Sequence, residues 1–191
     1  MKFFYLMHMA EELVDIFDEK NNYLNYSAPK AEAHSLGLWH RVVHTWIYNS
    51  KNEVLIQLRA KDKKLFPNMY DVSVGGHIDA GETPLEAVIR ELKEELGVKA
   101  KKEDLIYIGT FKHSTKDRDI IHNQFCYTYF LKKDLLISEL KLQTEEVELA
   151  KFIKIDELEN DLHKNPKNYV PGMEYWNEII SKIKDYSMIF L

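Results

Sequence analysis

Residues 76–98, GHIDAGETPLEAVIRELKEELGV, hold five glutamates: Glu82, Glu86, Glu91, Glu94 and Glu95. The last three crowd into little more than one helical turn. Like charges four residues apart weaken a helix by roughly 0.2–0.5 kcal/mol, and acids in the last turn oppose its dipole. A solvated acidic face would normally mix in lysines. A hard divalent cation reverses both penalties, because Mg²⁺, Mn²⁺ and Ca²⁺ take oxygen ligands. Glu91, Glu94 and Glu95 therefore read as a divalent-metal site. The preceding VGGHIDAGE supplies Gly75, Gly76 and Gly81, which let backbone amides come close to a ligand. A cation beside exposed amides is suited to handling a diphosphate.

A helix is predicted over 83–97 to carry these acids. Thr83 suits the N-cap, Pro84 the first helical position, and Glu86 completes a capping box. Gly97 is the stop. At about 100° per residue, Glu91, Glu94 and Glu95 share one face, with small Ala87 leaving room beside them. Leu85, Val88, Ile89, Leu92 and Leu96 form the buried stripe. Arg90 can pair with Glu94 one turn on.

Elsewhere the apolar pattern predicts mainly strands. Residues 12–30 read as a β-hairpin turning at Asn21–Asn22, and 39–60 as two long strands joined at Asn49–Asn52. A loop and a short strand ending in Gly75-Gly76 occupy 65–79. Strands follow at 104–114 and 123–133, and a strand leading into a helical turn at 147–158. Residues 173–185 form an amphipathic helix with Tyr175, Ile179, Ile180 and Ile183 on one face. The order predicts an α/β fold, a mixed sheet packed between helices as an α/β/α sandwich. No repeat or linker interrupts it. One domain is expected over 1–191, with a core at about 38–160, the N-terminal hairpin 12–30 and the C-terminal helix 173–185.

The net charge of −5 gives no overall pull toward nucleic acid or an anionic membrane. No run approaches the length of a membrane span. The single cysteine, Cys126, excludes an intrachain disulfide and fits a reducing cytoplasm. Within FCYTYF it reads as a buried core thiol. The N-terminal MKFFYLMHMAEEL has a short apolar run broken at His8 and stopped by Glu11 and Glu12. With no small-residue cleavage site, a secretory leader is not expected, and Met7 and Met9 are alternative starts.

Gly76, Glu82 and Arg90-Glu91-Leu92-Lys93-Glu94-Glu95-Leu96-Gly97-Val98 fill every defined position of G-x5-E-x7-R-E-U-x-E-E-x-G-U, with U apolar. On this box the chain resembles the Nudix hydrolases, and the strand order over about 38–160 resembles their α/β/α sandwich. The resemblance implies cleavage of a nucleoside diphosphate linked to another moiety, with Mg²⁺ or Mn²⁺. It implies Glu91, Glu94 and Glu95 as metal ligands and Arg90 as the residue orienting the glutamates. Glu82 and Gly97 would support the loop–helix geometry. The general base varies in this superfamily. Glu94 is one candidate, and Glu145 or Glu146 in QTEEVE is another, although an ordinary acidic turn also explains that pair. Dimers are common in the family, so a homodimer is a further expectation.

The flanks, WHRVVHTWIYNSKNEVLIQLRAKDKKLFPNMYDVSVGGHIDAGE, resemble the branch that includes isopentenyl-diphosphate isomerase. That enzyme's catalytic cysteine falls on Gly75, and its paired glutamates fall on His122 and Gln124. His40 and His77 match its metal-binding histidines, while Arg59 and Lys63 match diphosphate-binding positions. The diphosphate grip, with Gly75, Gly76, Arg59, Lys63 and His77, is thus implied without the isomerase's acid–base groups. Cys126 lies on a different strand. LFPNMYDVSVGG also resembles a bacterial subgroup acting on nucleoside diphosphates, especially pyrimidine ones. Three readings compete: a diphosphate hydrolase, an isomerase, and a non-catalytic ligand-binding module. The intact box favours the first. His40 and His44 share a strand face and read as packed or hydrogen-bonded histidines, with metal ligation as the alternative.

Overall fold

A computed structural model describes residues 12–117 and 120–189. The expectations about Met1, Met7, Met9 and the leader lie outside the described residues. β1 (Leu13–Phe17) and β2 (Tyr23–Pro29) form a separate antiparallel pair. Its turn is closed by Asp18, whose Oδ1 accepts from the backbone N–H groups of Lys20 and Asn22, both at 2.8 Å. Asn21 takes the left-handed conformation there, which asparagine tolerates well.

The main sheet has seven strands. Its central path runs β5 (Tyr70–Asp71), β4 (Glu53–Arg59), β3 (His40–Tyr48), β8 (Ile120–Lys132) and β7 (Leu105–Asp117). β6 (Val74–His77) pairs with β3, and β9 (Val147–Lys154) pairs with β4. β3 and β8 are parallel and the other pairs antiparallel, so the sheet is mixed. β3 and β4 pair only beside their turn, at Tyr48↔Val54. Farther along, β3 turns to β6 and β4 to β5.

Strand alternation sends successive side chains to opposite faces. Val43 and Ile47 of β3, with Leu55 of β4, pack with Val88, Leu92 and Leu96 of α2 (Pro84–Leu96). Trp46, Tyr48 and Ile56 pack on the other face with Leu158 and Leu162 of α3 (Ile155–Lys164) and Ile179, Ile180 and Ile183 of α4 (Met173–Ile189). The sheet therefore lies between helices, an α/β/α sandwich. Cys126 is fully buried, and burial pushes its thiol up to about 12. That is a core thiol rather than a nucleophile.

Three local expectations need correction. Residues 30–37 contain α1 (Lys30–Leu36), which pattern reading passed over. Pro29 precedes it without a side-chain cap, and seven residues give too little periodicity to read. The C-terminal helix continues past residue 185 to Ile189. On α2 the buried face is wider than the predicted apolar stripe, and Ala87 is fully buried in the apolar cluster. The buried face of α2 also includes Glu91 and Glu95.

The predicted capping box is present. The Thr83 hydroxyl accepts from the Glu86 N–H at 3.4 Å, and Glu86 Oε2 accepts from the Thr83 N–H at 3.0 Å. Thr83→Ala is expected to cost about 1 kcal/mol in urea-unfolding stability. An unchanged unfolding midpoint would contradict that assignment.

Candidate functional site

Two clusters occupy opposite faces of β6. Gly76 lies opposite Val43 in the ladder, and its vacant Cβ direction points to α2. A Cβ built there would sit 2.0 Å from both Cδ and Oε1 of Glu91. Glycine is thus what allows the Glu91 carboxylate to pass under the strand. Arg90 grips the cluster. Its Nε and Nη2 donate to the two oxygens of Glu82 at 3.0 and 2.8 Å. Its Nη1 donates to Glu91 at 2.7 Å and to Glu94 at 3.3 Å, and Nη2 also reaches the His77 carbonyl at 2.9 Å. Such bidentate, charge-assisted geometry fixes directions as well as distances.

The three acids sit in different surroundings. The Glu94 side chain is 51 % exposed, Glu91 is 9 % exposed, and Glu95 is 4 % exposed. Burial raises the Glu91 carboxyl above the usual range, opposed by Arg90. Burial raises Glu95 much further, with the charges of Glu91, Glu146 and Asp71 acting the same way. Two buried carboxyls, one braced by Arg90 and the other facing only acidic charges, are a donor set a hard divalent cation satisfies.

The second cluster faces α1. His34 Nε2 lies 3.3 Å from His40 Nε2 and 3.1 Å from His77 Nε2. His34 was missed because α1 was missed. The ring of His122 is centred 4.9 Å from that of His34. His40 Nδ1 donates to the Leu38 carbonyl at 2.9 Å, so its Nε2 carries the lone pair. Tetrahedral imidazole ligands at zinc distances stand about 3.3 Å apart, close to this spacing. Burial pushes His40 down to about 4 and His34 to about 3, keeping both neutral and able to ligate. His44 is separate from this group. Its Nδ1 lies 2.9 Å from the Tyr175 hydroxyl, which also takes the Trp46 indole N–H at 3.1 Å.

The NUDIX-domain family model matches residues 38–173, which include the glutamate cluster and, of the histidine cluster, His40, His77 and His122 but not His34. The chain belongs to the Nudix family. It is 40% identical over 153 residues to an uncharacterized Nudix hydrolase of Clostridium acetobutylicum, covering 78% of this chain and 73% of that one. It is 37% identical over 168 residues to Nudix hydrolase 3 of Arabidopsis thaliana, covering 85% of this chain but only 22% of that much longer protein. An isopentenyl-diphosphate Delta-isomerase of Escherichia coli is 34% identical over 110 residues, 58% of this chain and 59% of the isomerase. These relatives place the chain among the Nudix hydrolases, on their isomerase-like side. A crystal structure from Deinococcus radiodurans shares the fold, with a TM-score of 0.64 at 22% identity, covering 91% of this chain and 98% of that one.

Other residues expected to serve this Nudix site are engaged within the protein. Arg59 Nη1 donates to Asp71 at 2.9 Å, and its Nε and Nη2 donate to the Leu65 carbonyl at 3.2 and 3.1 Å. Lys63 is ion-paired with Glu146. Gly97 closes α2 in the left-handed conformation, its N–H bonded to the Lys93 carbonyl at 3.0 Å. Gly75 faces away from the glutamates. A Cβ there would lie 3.2 Å from His44 and 3.3 Å from Val72. Gln124, where the isomerase has a glutamate, has its Nε2 3.2 Å from His40 Nε2. Among the described residues no helix is long and apolar enough to cross a membrane.

The buried imidazoles give this Nudix fold an acid limit. Burial also brings His44 down to about 4 from its ordinary 6.5. Between those values the unfolded chain binds more protons than the folded one, so stability falls as pH drops through that window. The raised carboxyls of Glu91 and Glu95 act in the opposite direction, so with both replaced by glutamine the urea midpoint of metal-stripped protein should be lower near pH 5 than near pH 7. An equal or higher midpoint at the lower pH would contradict this.

Proposed function

We propose that the chain hydrolyses a diphosphate bond in a nucleoside diphosphate or a nucleoside-diphosphate-linked small molecule, using Mg²⁺ or Mn²⁺ held by Glu91, Glu94 and Glu95. The observation that carries this is the passage of the Glu91 carboxylate under Gly76, braced by the Arg90–Glu82 pair. Such construction serves positioning better than solvation. When bound, the cation would neutralise charge on the transferred phosphoryl group and on the leaving oxygen. Arg90 keeps the carboxylates aimed together. The exposed Glu94 can take a proton from water, and so can Glu146 once its pairing with Lys63 opens. Lys63, released by the same opening, and Arg59 would then meet substrate phosphates. Loss of the acidic limb of the pH–rate profile in Glu94→Gln or in Glu146→Gln identifies the base.

The histidine cluster supports a second metal centre in this reading. His34, His40 and His77 offer three nitrogen donors within 4.8 Å of one another, a set suited to a borderline metal such as zinc. Elemental analysis of purified protein should find such a metal bound in stoichiometric amount and lost in His40→Ala.

Isomerase activity is the weaker reading, because Gly75 and Gln124 stand where its acid–base groups would be. A binding module without catalysis is disfavoured by the complete box. The test is a panel of CDP, UDP, ADP-ribose, sugar nucleotides, dinucleotide polyphosphates and isopentenyl diphosphate, assayed with Mg²⁺ and with Mn²⁺. Phosphate or nucleotide release from one class is expected. Dimethylallyl diphosphate as the only product would favour the isomerase instead, and no turnover at all would favour the binding module.

A further inference from the structure

We propose that Gln57 is a positioning residue of the hydrolase site, its side-chain amide fixing the carboxylate of Glu95 for cation binding; this rests on the reading of Glu95 as a ligand. Gln57 lies in the middle of β4, opposite Asp71 of β5 and Ala150 of β9. Its side chain follows Leu55 onto the α2 face, where Leu55 itself packs with Val88, Leu92 and Leu96. It is 3% exposed. Alternation calls for an aliphatic residue at such a position, since an amide there must give up water.

The amide nitrogen donates to Glu95 Oε2 at 3.2 Å. Among the described residues this is the one side-chain hydrogen bond that Glu95 receives. The charges that act on Glu95 are acidic: Glu91 from α2, Glu146 from the turn before β9, and Asp71 from β5. Of the cations near β4, Arg59 is taken by Asp71 and Lys63 by Glu146. A neutral amide is therefore what holds this carboxylate in one direction. Gln57 Oε1 is buried without a hydrogen-bond partner among the described residues. A buried amide satisfied at only one end is a poor packing choice. It makes sense if the bond to Glu95 is the function, with the free oxygen accepting from a water of the hydrated cation. Arg90 aligns Glu91 and Glu94 from one side, and Gln57 aligns Glu95 from beneath the sheet. Together they set the bite of the three carboxylates.

The test measures Mn²⁺ binding to full-length protein by the loss of the free-ion electron-spin-resonance signal, with no substrate present. Gln57→Met keeps length and removes the donor. It should weaken Mn²⁺ binding about 10- to 100-fold and raise half-activating Mg²⁺ to match. KM for substrate at saturating metal should stay unchanged. In a Glu95→Gln background the same substitution should have no further effect, because the two act as one unit. If Gln57→Met does not fold, Gln57→Asn, which draws the amide back by one methylene, replaces it with the same expectation. Wild-type Mn²⁺ binding in the Gln57 variant overturns the proposal, and so does an effect that simply adds to that of Glu95→Gln. Undiminished binding in Glu95→Gln itself would instead strike the cation reading on which the proposal stands.

Discussion

Glu95→Gln should lower kcat on the order of 10³-fold at saturating Mg²⁺ while leaving the protein at least as stable as wild type. The two expectations have one cause. Glu95 is 4% exposed, and the acids around it disfavour its ionised form. A neutral isostere removes that burden in the absence of metal. The same change removes the charge a divalent cation needs. Activity and stability should therefore move in opposite directions, which a merely structural acid would not produce. The comparison is Glu86→Gln, at the far end of the same helix. Glu86 is exposed and serves only the capping box, so its loss should touch stability slightly and kcat hardly at all. Turnover above a tenth of wild type in Glu95→Gln would remove Glu95 from the metal site.

Gly76→Ala should be nearly as damaging to activity, through a single added methyl group. Gly76 does not need a left-handed backbone, so alanine meets no strain there. The methyl would instead fall 2.0 Å from the Glu91 carboxyl. The atoms it meets are the far end of a flexible side chain, so the fold can yield by moving Glu91. Moving it breaks the 2.7 Å bond from Arg90 and spoils the ligand geometry. Displacements of about 1 Å in a positioned group can cost on the order of 10²-fold in rate. We expect kcat/KM to fall by at least that factor, with a melting temperature within a few degrees of wild type, since the core itself is untouched. A large loss of stability with full specific activity in the folded fraction would show that Gly76 serves packing alone.

The glutamate helix was legible because every signal for it is local. Thr83, Pro84 and Glu86 cap it, Gly97 ends it, and the box residues follow at fixed spacing. The long strands were legible for a similar reason, since their alternation is visible in 39–60 and 123–133. What escaped depends on contacts distant in sequence. Which acids of the helix are buried is decided by β6 lying across Glu91 and by Gln57 lying under Glu95. Sequence angles placed the three carboxylates together, yet could not show that two go inside. The histidine cluster joins α1, β3, β6 and β8, and its centre, His34, sits on a seven-residue helix too short to announce itself. Arg59 and Lys63 looked like free phosphate ligands because their partners, Asp71 and Glu146, come from other strands and turns.

The most direct measurement is the fate of solvent oxygen. Substrate cleaved by the wild-type protein with Mg²⁺ in ¹⁸O-labelled water should yield one labelled oxygen per turnover, attached to phosphorus in one of the two products. Glu95→Gln should incorporate label on the order of 10³-fold more slowly. Label on a carbon-bound hydroxyl, or a rearranged diphosphate carrying no label, would contradict hydrolysis by water attacking phosphorus.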